Sequence, residues 1–540
     1  MDASSRTANS AATAALSAYP PTKGRPQRGC TGRGAVLSHV KSAAEANTER
    51  GRNGIIHAMK PHAKTALSLA LAIVGGMAAG MRCDASVTVE TSAQFNVATP
   101  ESQGVSSRAI LSWIEACEET AATNGFRHGF LHGFVIVRHG KLVAEGSWRP
   151  HDTLNEPHML YSHSKSFTST AVGFLVDDGR LDLDERVVDL LPDSLPGTLS
   201  DNLRQLRVRD LLTMNMGADR TDAERDDIAG DWVKAILANG FQHAPGTRFK
   251  YDSAATHLLA AIVERRSGKR LMDFLRERLF VPLGMASPWS TTSPTGIACG
   301  GWGMNMTTRD LAVFGQFLLQ KGVWKGRRLL SEDWISLATS KQTRSKEIVV
   351  GAATIGSGDD WAQGYGFQLW RCQHGAFRAD GAAGQLTVVI PSEDAVVSVN
   401  AGLGNMQREL DLIWEHLLPA FAAGPLPPDV EAQMELKRKC ESLALPLSDS
   451  LPEVFEGMDA AQIEAVDGGW RLRRGDAVLN VGDGGWKITE WRFTDDNVEP
   501  LFGKCGVRKI AASGKTDELG RLEVTWQMLG GIGHGSFKVR

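Results

Sequence analysis

Ser162-His163-Ser164-Lys165, followed at once by an apolar run over 166–176, constrains the chain more than any other stretch. Phe167, Ala171, Val172, Phe174 and Leu175 recur at helical spacing on more than one side, so a helix here must be buried. Gly179 ends it. One turn apart, Ser162 and Lys165 project to the same side of the helix start. A serine hydroxyl becomes a nucleophile when a base takes its proton, and a lysine with a lowered pKa can be that base. A helix-capping serine accounts for the same spacing. Ser38-His39-Val40-Lys41 repeats the pattern in a polar basic stretch with no apolar helix behind it. Context after Lys165, not the spacing itself, separates the two.

The 540 residues allow two or three domains, or one large domain with an appendage. A composition of 42% hydrophobic and 22% charged residues is that of an ordinary globular protein. With a net charge of −3 and no basic stripe interleaved with aromatics, nucleic-acid binding is not expected. Cys30, Cys83, Cys117, Cys299, Cys372, Cys440 and Cys505 are far apart and show no metal-ligand spacing. They read as small buried side chains, with room for one adventitious disulfide in an exported protein. Neither a metal nor a cofactor is implied.

Residues 1–58 read as a polar, basic, disordered leader. Met59-Lys60-Pro61-His62-Ala63-Lys64 then precedes an apolar run over 66–79, which has the form of a secretory signal and is short for a membrane span. Met59 as the true start would explain both the leader and the depth of the signal, which we place at 59–85. An exported protein, periplasmic or extracellular, without a stable span in its mature form is the expectation. A core helix is the alternative.

A globular domain is expected from 99 to 421. It opens with a helix over 106–117 and a hairpin over 133–145 turning at His139-Gly140-Lys141. Helices are expected over 208–212, 254–266 and 311–320, the last behind Thr307, and a mobile loop over 341–360. Strands over 385–390 and 395–399 pair across Pro391-Ser392-Glu393-Asp394. Strands at both ends with helices between imply an α+β fold, an antiparallel sheet flanked by helices with a helical subdomain. A linker at 424–429 leads to a small, mostly-β domain over 430–540.

Three motifs in this order resemble those of the serine β-lactamase and penicillin-binding-protein family, in particular its class C and esterase-like branch of serine hydrolases. Ser162-His163-Ser164-Lys165 resembles S-x-x-K. Tyr251-Asp252-Ser253, ahead of a helix, resembles Y-x-N. Ala379-Asp380-Gly381, entering a strand through Ala382-Ala383-Gly384-Gln385, stands where the family has K-T-G or H-x-G. The resemblance implies Ser162 as acyl-forming nucleophile, Lys165 as its base, Tyr251 as proton relay, and an oxyanion hole from the backbone N–H groups of Ser162 and Ala382. It implies Ser253, Asp380, Gly381 and Ala383 as substrate-binding positions. For lysine to act as a base near pH 7, its charged form must be destabilised by roughly 4 kcal/mol, which burial supplies.

Two departures bear on the substrate. Ser253 replaces Asn, and Ala379 stands where the family has the cation that helps bind a β-lactam or peptide carboxylate. Arg378 should face away from Ala379 on a strand, and Asp380 adds a negative charge. A neutral or cationic ester or amide is therefore expected, processed through an acyl-enzyme. A D-alanyl carboxypeptidase or β-lactamase is the alternative within enzymes, and a non-catalytic binding or sensor module is the alternative outside them. His163 is expected as wall or surface, His374 as a minor substrate contact, and Tyr365 and Trp302 as cleft or core.

Overall fold

The computed structural model describes residues 94–540, apart from 126–128, 220–229, 286–287, 346–348, 351–352, 355–357, 447–460, 475–476, 493–506, 533 and 540. The leader, the signal-like segment, and the alternative Ser38 motif lie outside the described residues, as does much of the expected mobile loop over 341–360.

The elements that position the site run in chain order as follows. A short strand β1 (Asn96–Val97) and helix α1 (Ser107–Ala122) precede strands β2 (Phe130–Arg138), β3 (Lys141–Ser147) and β4 (His158–Met159). Helix α2 (Ser164–Asp177) and helix α3 (Ser253–Ser267) lead to β5 (Met304–Met306) and α4 (Thr308–Leu319). Strands β6 (Trp370–Arg371), β7 (Phe377–Gly381), β8 (Gln385–Ile390) and β9 (Ala395–Gly402) follow, then helices α5 (Met406–Leu412) and α6 (Val430–Ser442). They build one sheet in the order β1-β3-β2-β9-β8-β7-β6. Every pair is antiparallel except β1 with β3. The first hairpin thus lies beside the last strands of the domain, β2 against the central β9, with the helical segments carried between them.

Both faces of the sheet are covered, so its central strands are apolar on both sides rather than alternating with polar residues. Val135 and Val137 of β2 enter one core with Phe167, Phe174, Leu258, Phe314 and Val396. Their neighbours Phe134 and Ile136 enter the other with Trp113, Val388, Val397 and Leu410. This is the period-two geometry of a strand working in both directions. Gly140, at φ 69, and His139, at φ 50, close the β2–β3 hairpin in the left-handed region that a tight two-residue turn requires.

Helix α2 lies in the middle of the first core. All its residues from Ser164 to Leu175 are buried. Its hydroxyls would be costly there without partners. Three of them hold neighbouring loops. Ser166 donates to the Gln368 carbonyl at 2.8 Å, Ser169 to that of Phe367 at 2.8 Å, and Thr168 to that of Gly300 at 2.9 Å. A helix with hydroxyls on one side and Phe167, Phe174 and Leu175 on the others is therefore fixed in rotation as well as position.

The region expected to begin at 430 opens with a helix. Helix α6 packs on the hydrolase domain: Leu436, and Leu443 and Leu445 just after it, belong to the second core, and Lys439 pairs with Glu118 of α1 at 2.6 Å. The described strands of the C-terminal sheet, from Gln462–Val466 to His534–Val539, form their own core around Leu472, Leu479, Ile510, Val524 and Trp526. Cys117, Cys299, Cys372 and Cys440 carry free thiols. No helix among the described residues is long and apolar enough to cross a membrane.

Phe314 of α4 stacks on Phe167 of α2, ring centroids 4.2 Å apart, and is fully buried. Phe314→Ala should destabilise the domain by about 3–5 kcal/mol, read as a lower denaturant midpoint at an unchanged slope.

Candidate active site

The chain enters α2 through a tight turn, Tyr161–His163, with Tyr161 at φ 48. A side chain in that region is strained and is held by its surroundings. The turn leaves Ser162 half-exposed rather than capping the helix; no side-chain cap bond forms at this helix start. Its hydroxyl faces inward to Lys165.

Lys165 is buried, at 1% exposure, and its amine is surrounded by oxygen. The Nζ lies 3.1 Å from Ser162 Oγ, 2.8 Å from Ser253 Oγ and 2.7 Å from the Gly301 carbonyl. It also lies 4.7 Å from the centre of the Tyr251 ring. Ser253 reaches it from the first turn of α3, which Asp252 caps by accepting from the Ala254 N–H at 2.9 Å. Gly301 can approach because it has no side chain: a Cβ there would stand 2.9 Å from Ser253 Cβ and 3.0 Å from the Ser253 carbonyl.

Tyr251 shares a hydrogen bond with Ser162, and burial raises its phenol above the usual tyrosine range. A phenol raised in this way keeps its proton near neutral pH. Its ring packs on Trp370 and Tyr365, with centroids 5.4 and 6.1 Å away. Tyr365 is core. Trp302 sits beside Trp232, 6.3 Å between centroids.

The third motif arrives on β7. A Cβ on Gly381 would stand 2.0 Å from the Leu160 carbonyl and 3.1 Å from the His163 nitrogen. The strand end thus lies directly on the turn that presents Ser162, with the exposed Ala382 next in the chain. Ala383, at φ 63, and Gly384, at φ 88, turn the backbone back into β8. Gln385 holds that turn. Its Nε2 donates toward the carbonyls of Ala382, Ala383 and Ala401 at 3.3, 3.2 and 2.5 Å, and its Oε1 accepts from Asn400 at 3.0 Å. Neither Gln385 nor Gly301 stood out in the sequence as a site residue. The run Gly300-Gly301-x-Gly303 was the available signal for one, and the amide at the start of an apolar strand for the other.

Two expectations change. Asp380 does not present a free charge: Arg378, on the same strand face, donates from Nε to Asp380 Oδ2 at 2.7 Å, and both side chains are buried. Burial raises the Asp380 carboxyl, with Arg378 and Lys165 pulling the other way. Arg378 is enclosed further by Trp361, 4.3 Å from its ring centre, and Cys372 Sγ at 3.1 Å. It is thus no substitute for the missing cation at Ala379. His163 is neither wall nor surface but core, stacked on Phe167 with centroids 5.8 Å apart. His374 lies against Trp414, 5.2 Å between centroids.

This is the architecture of the β-lactamase family, whose model, described as Beta-lactamase, matches residues 120–415. The match spans more than half of the chain, and the chain belongs to that family; it is a serine hydrolase. The chain is 28% identical over 284 residues to the 6-aminohexanoate-dimer hydrolase of Paenarthrobacter ureafaciens, covering 49% of this chain and 70% of that one. It is 28% identical over 162 residues to the D-aminopeptidase of Brucella anthropi, covering 28% of this chain and 31% of that one. Among solved structures it is similar to an octameric penicillin-binding-protein homologue from Pyrococcus abyssi, at 16% identity and TM-score 0.47, over 79% of this chain and 95% of that one.

Gly381→Ala should remove activity while the far core survives, because its methyl must displace the backbone of Leu160 next to Ser162. Loss of ester turnover with a near-native circular dichroism spectrum would show this; full activity would refute the close approach. Burial pushes His163 down to about 3, against a weaker opposing pull from the Gln385 backbone. An unfolded histidine titrates near 6.5, so on acidification the unfolded chain binds this proton first. The stability tied to the neutral ring is whole above about pH 6.5 and is lost as the pH falls from there toward about 3. Denaturation at stepped pH should show stability declining across that window, with proton uptake on unfolding.

Proposed function

We propose that the chain hydrolyses an uncharged amide or ester through an acyl-enzyme on Ser162. The observation that carries this reading is the contact of Lys165 Nζ with Ser162 Oγ at 3.1 Å, the buried amine being held also by Ser253 Oγ and the Gly301 carbonyl. In its neutral form the amine accepts the Ser162 proton as Oγ attacks the carbonyl carbon. The Gly301 carbonyl and Ser253 hydroxyl keep the lone pair aimed at Oγ. The developing oxyanion is placed to receive the N–H groups of Ser162 and Ala382, each donor of this kind contributing about 3–4 kcal/mol. Tyr251 passes a proton to the leaving nitrogen or oxygen as the C–N or C–O bond breaks. Water then attacks the acyl-enzyme by the reverse proton path.

Ser253, Gly381 and Ala383 are the substrate-binding positions of this reading. The buried Arg378–Asp380 pair is charge-balanced, so the preference for a neutral substrate rests on Ala379, which leaves the carboxylate anchor absent. Relatives named 6-aminohexanoate-dimer hydrolase and D-aminopeptidase support the amide over the ester. Export through the segment starting at Met59 is part of the same proposal.

A fluorophosphonate probe should label the folded protein at Ser162. Ser162→Ala should lower turnover of activated esters by roughly 10⁴-fold or more, and Lys165→Ala by roughly 10²–10⁴-fold. Unchanged turnover in Ser162→Ala would sink the assignment. A stable penicillin adduct by intact mass, without turnover of amides or esters, would move the reading to a D-alanyl carboxypeptidase.

A further inference from the structure

Three histidines meet outside the serine site. His132 lies on β2, His158 on β4, and His151 on the segment between β3 and β4; their exposures are 1%, 0% and 2%. One ring nitrogen from each lies within 4.8 Å of the others. His132 Nδ1 is 3.0 Å from His158 Nε2. Tetrahedral zinc with imidazole nitrogens at about 2.0–2.1 Å separates its ligand atoms by about 3.3 Å, close to the His132–His158 spacing, so these two need little movement and His151 turns to join them. We propose that His132, His151 and His158 bind one divalent transition-metal ion, zinc in the first place, which ties the strand leading to Ser162 into the central sheet.

The surroundings are those of a ligand set. His158 Nδ1 lies 3.0 Å from the Met159 carbonyl, which fixes the proton there and leaves Nε2 with its lone pair toward the cluster. Both ring nitrogens of His151 are buried with no hydrogen-bond partner among the described residues, so the ring has a nitrogen to spare for an ion. Burial holds the three rings neutral, His151 down to about 3 and His158 down to about 4, with His132 also well below its ordinary value. Protons therefore compete weakly with a metal for these nitrogens at neutral pH. All three ligands are neutral nitrogen donors, a set that suits zinc, copper or nickel better than magnesium or calcium.

The His132 and His151 rings stack, centroids 3.7 Å apart and planes within 10°. Two parallel rings cannot both hold one ion in their planes, so binding swings His151 out of the stack. The place of the cluster gives the ion a structural part. Met159 donates its N–H to the Gly530 carbonyl of the C-terminal region at 3.0 Å, and Leu160, Tyr161 and Ser162 follow directly. The ion would thus clamp the run-in to the nucleophile, not contact a substrate.

The test uses the full chain, stripped with a chelator and titrated with Co²⁺. About one Co²⁺ per chain with visible d–d absorption of a tetrahedral nitrogen site is expected, together with a thermal midpoint raised by several degrees on adding Zn²⁺. His151→Ala, on the segment outside the sheet, should lose both signals at least tenfold in affinity while still labelling with a fluorophosphonate; His158→Gln is the second variant. Absence of a stoichiometric cobalt spectrum and of a zinc shift in the wild-type chain would overturn the proposal. Binding that survives in both variants would overturn it equally, since the ion would then sit elsewhere. Labelling of Ser162 reads the serine site separately, so a failure of one assignment is distinguishable from a failure of the other.

Discussion

A lysine amine cannot be taken out of water without something in its place. Around Lys165 that something is oxygen from three separate stretches of chain: Ser162 one turn earlier, Ser253 at the head of α3, and the Gly301 carbonyl. Much of the domain is arranged to make this cage. Helix α2 must be buried on all sides to carry Lys165 inward, and it is, with its hydroxyls satisfied by the loops at 300 and 367–368. Helix α3 must present its first turn at the same depth, which the Asp252 cap secures. The loop carrying Gly301 must pass within contact distance of Ser253, which only a glycine permits.

The sheet contributes the other wall. Its centre, β2 with β9, is packed on both faces and sets the height at which β7 ends. Gly381 then touches the Ser162 turn, and Gln385 pins the loop between them. Two kinds of constraint meet here: a backbone approach that excludes any Cβ, and a buried amide that satisfies three carbonyls at once. Leaving such carbonyls unpaired would cost roughly 1–3 kcal/mol each. The rigidity of the site follows from packing and polar satisfaction together.

Much of this was legible in the residues. The burial of the 166–176 helix, the hairpin at His139-Gly140 and the paired strands near 390 follow from local period and turn chemistry, which need no distant partner. That Ser162, Lys165 and Tyr251 come together was legible through the order of three motifs. The meaning of Asp380 was not. A strand pattern says that residues 378 and 380 share a face, but whether they meet depends on what encloses them, here Trp361, Trp370 and Cys372. His163 was misplaced for a similar reason: a histidine beside a nucleophile looks accessible until the turn is folded and its ring faces Phe167.

The helical boundary at 430 and the histidine cluster show the same division. Helix α6 follows a Pro-rich linker and is polar along much of its length, and nothing local in it says that Leu436 packs against α1. His132, His151 and His158 match no ligand spacing in the chain, yet the β2–β3 hairpin and the return through β4 bring them within 4.8 Å. Local sequence determined the elements and, through the three motifs, the family and its serine-hydrolase class. Tertiary structure alone decided which charges are neutralised, which histidines are buried and what surrounds Lys165, because each depends on contacts between residues far apart in the chain, and no local period encodes those.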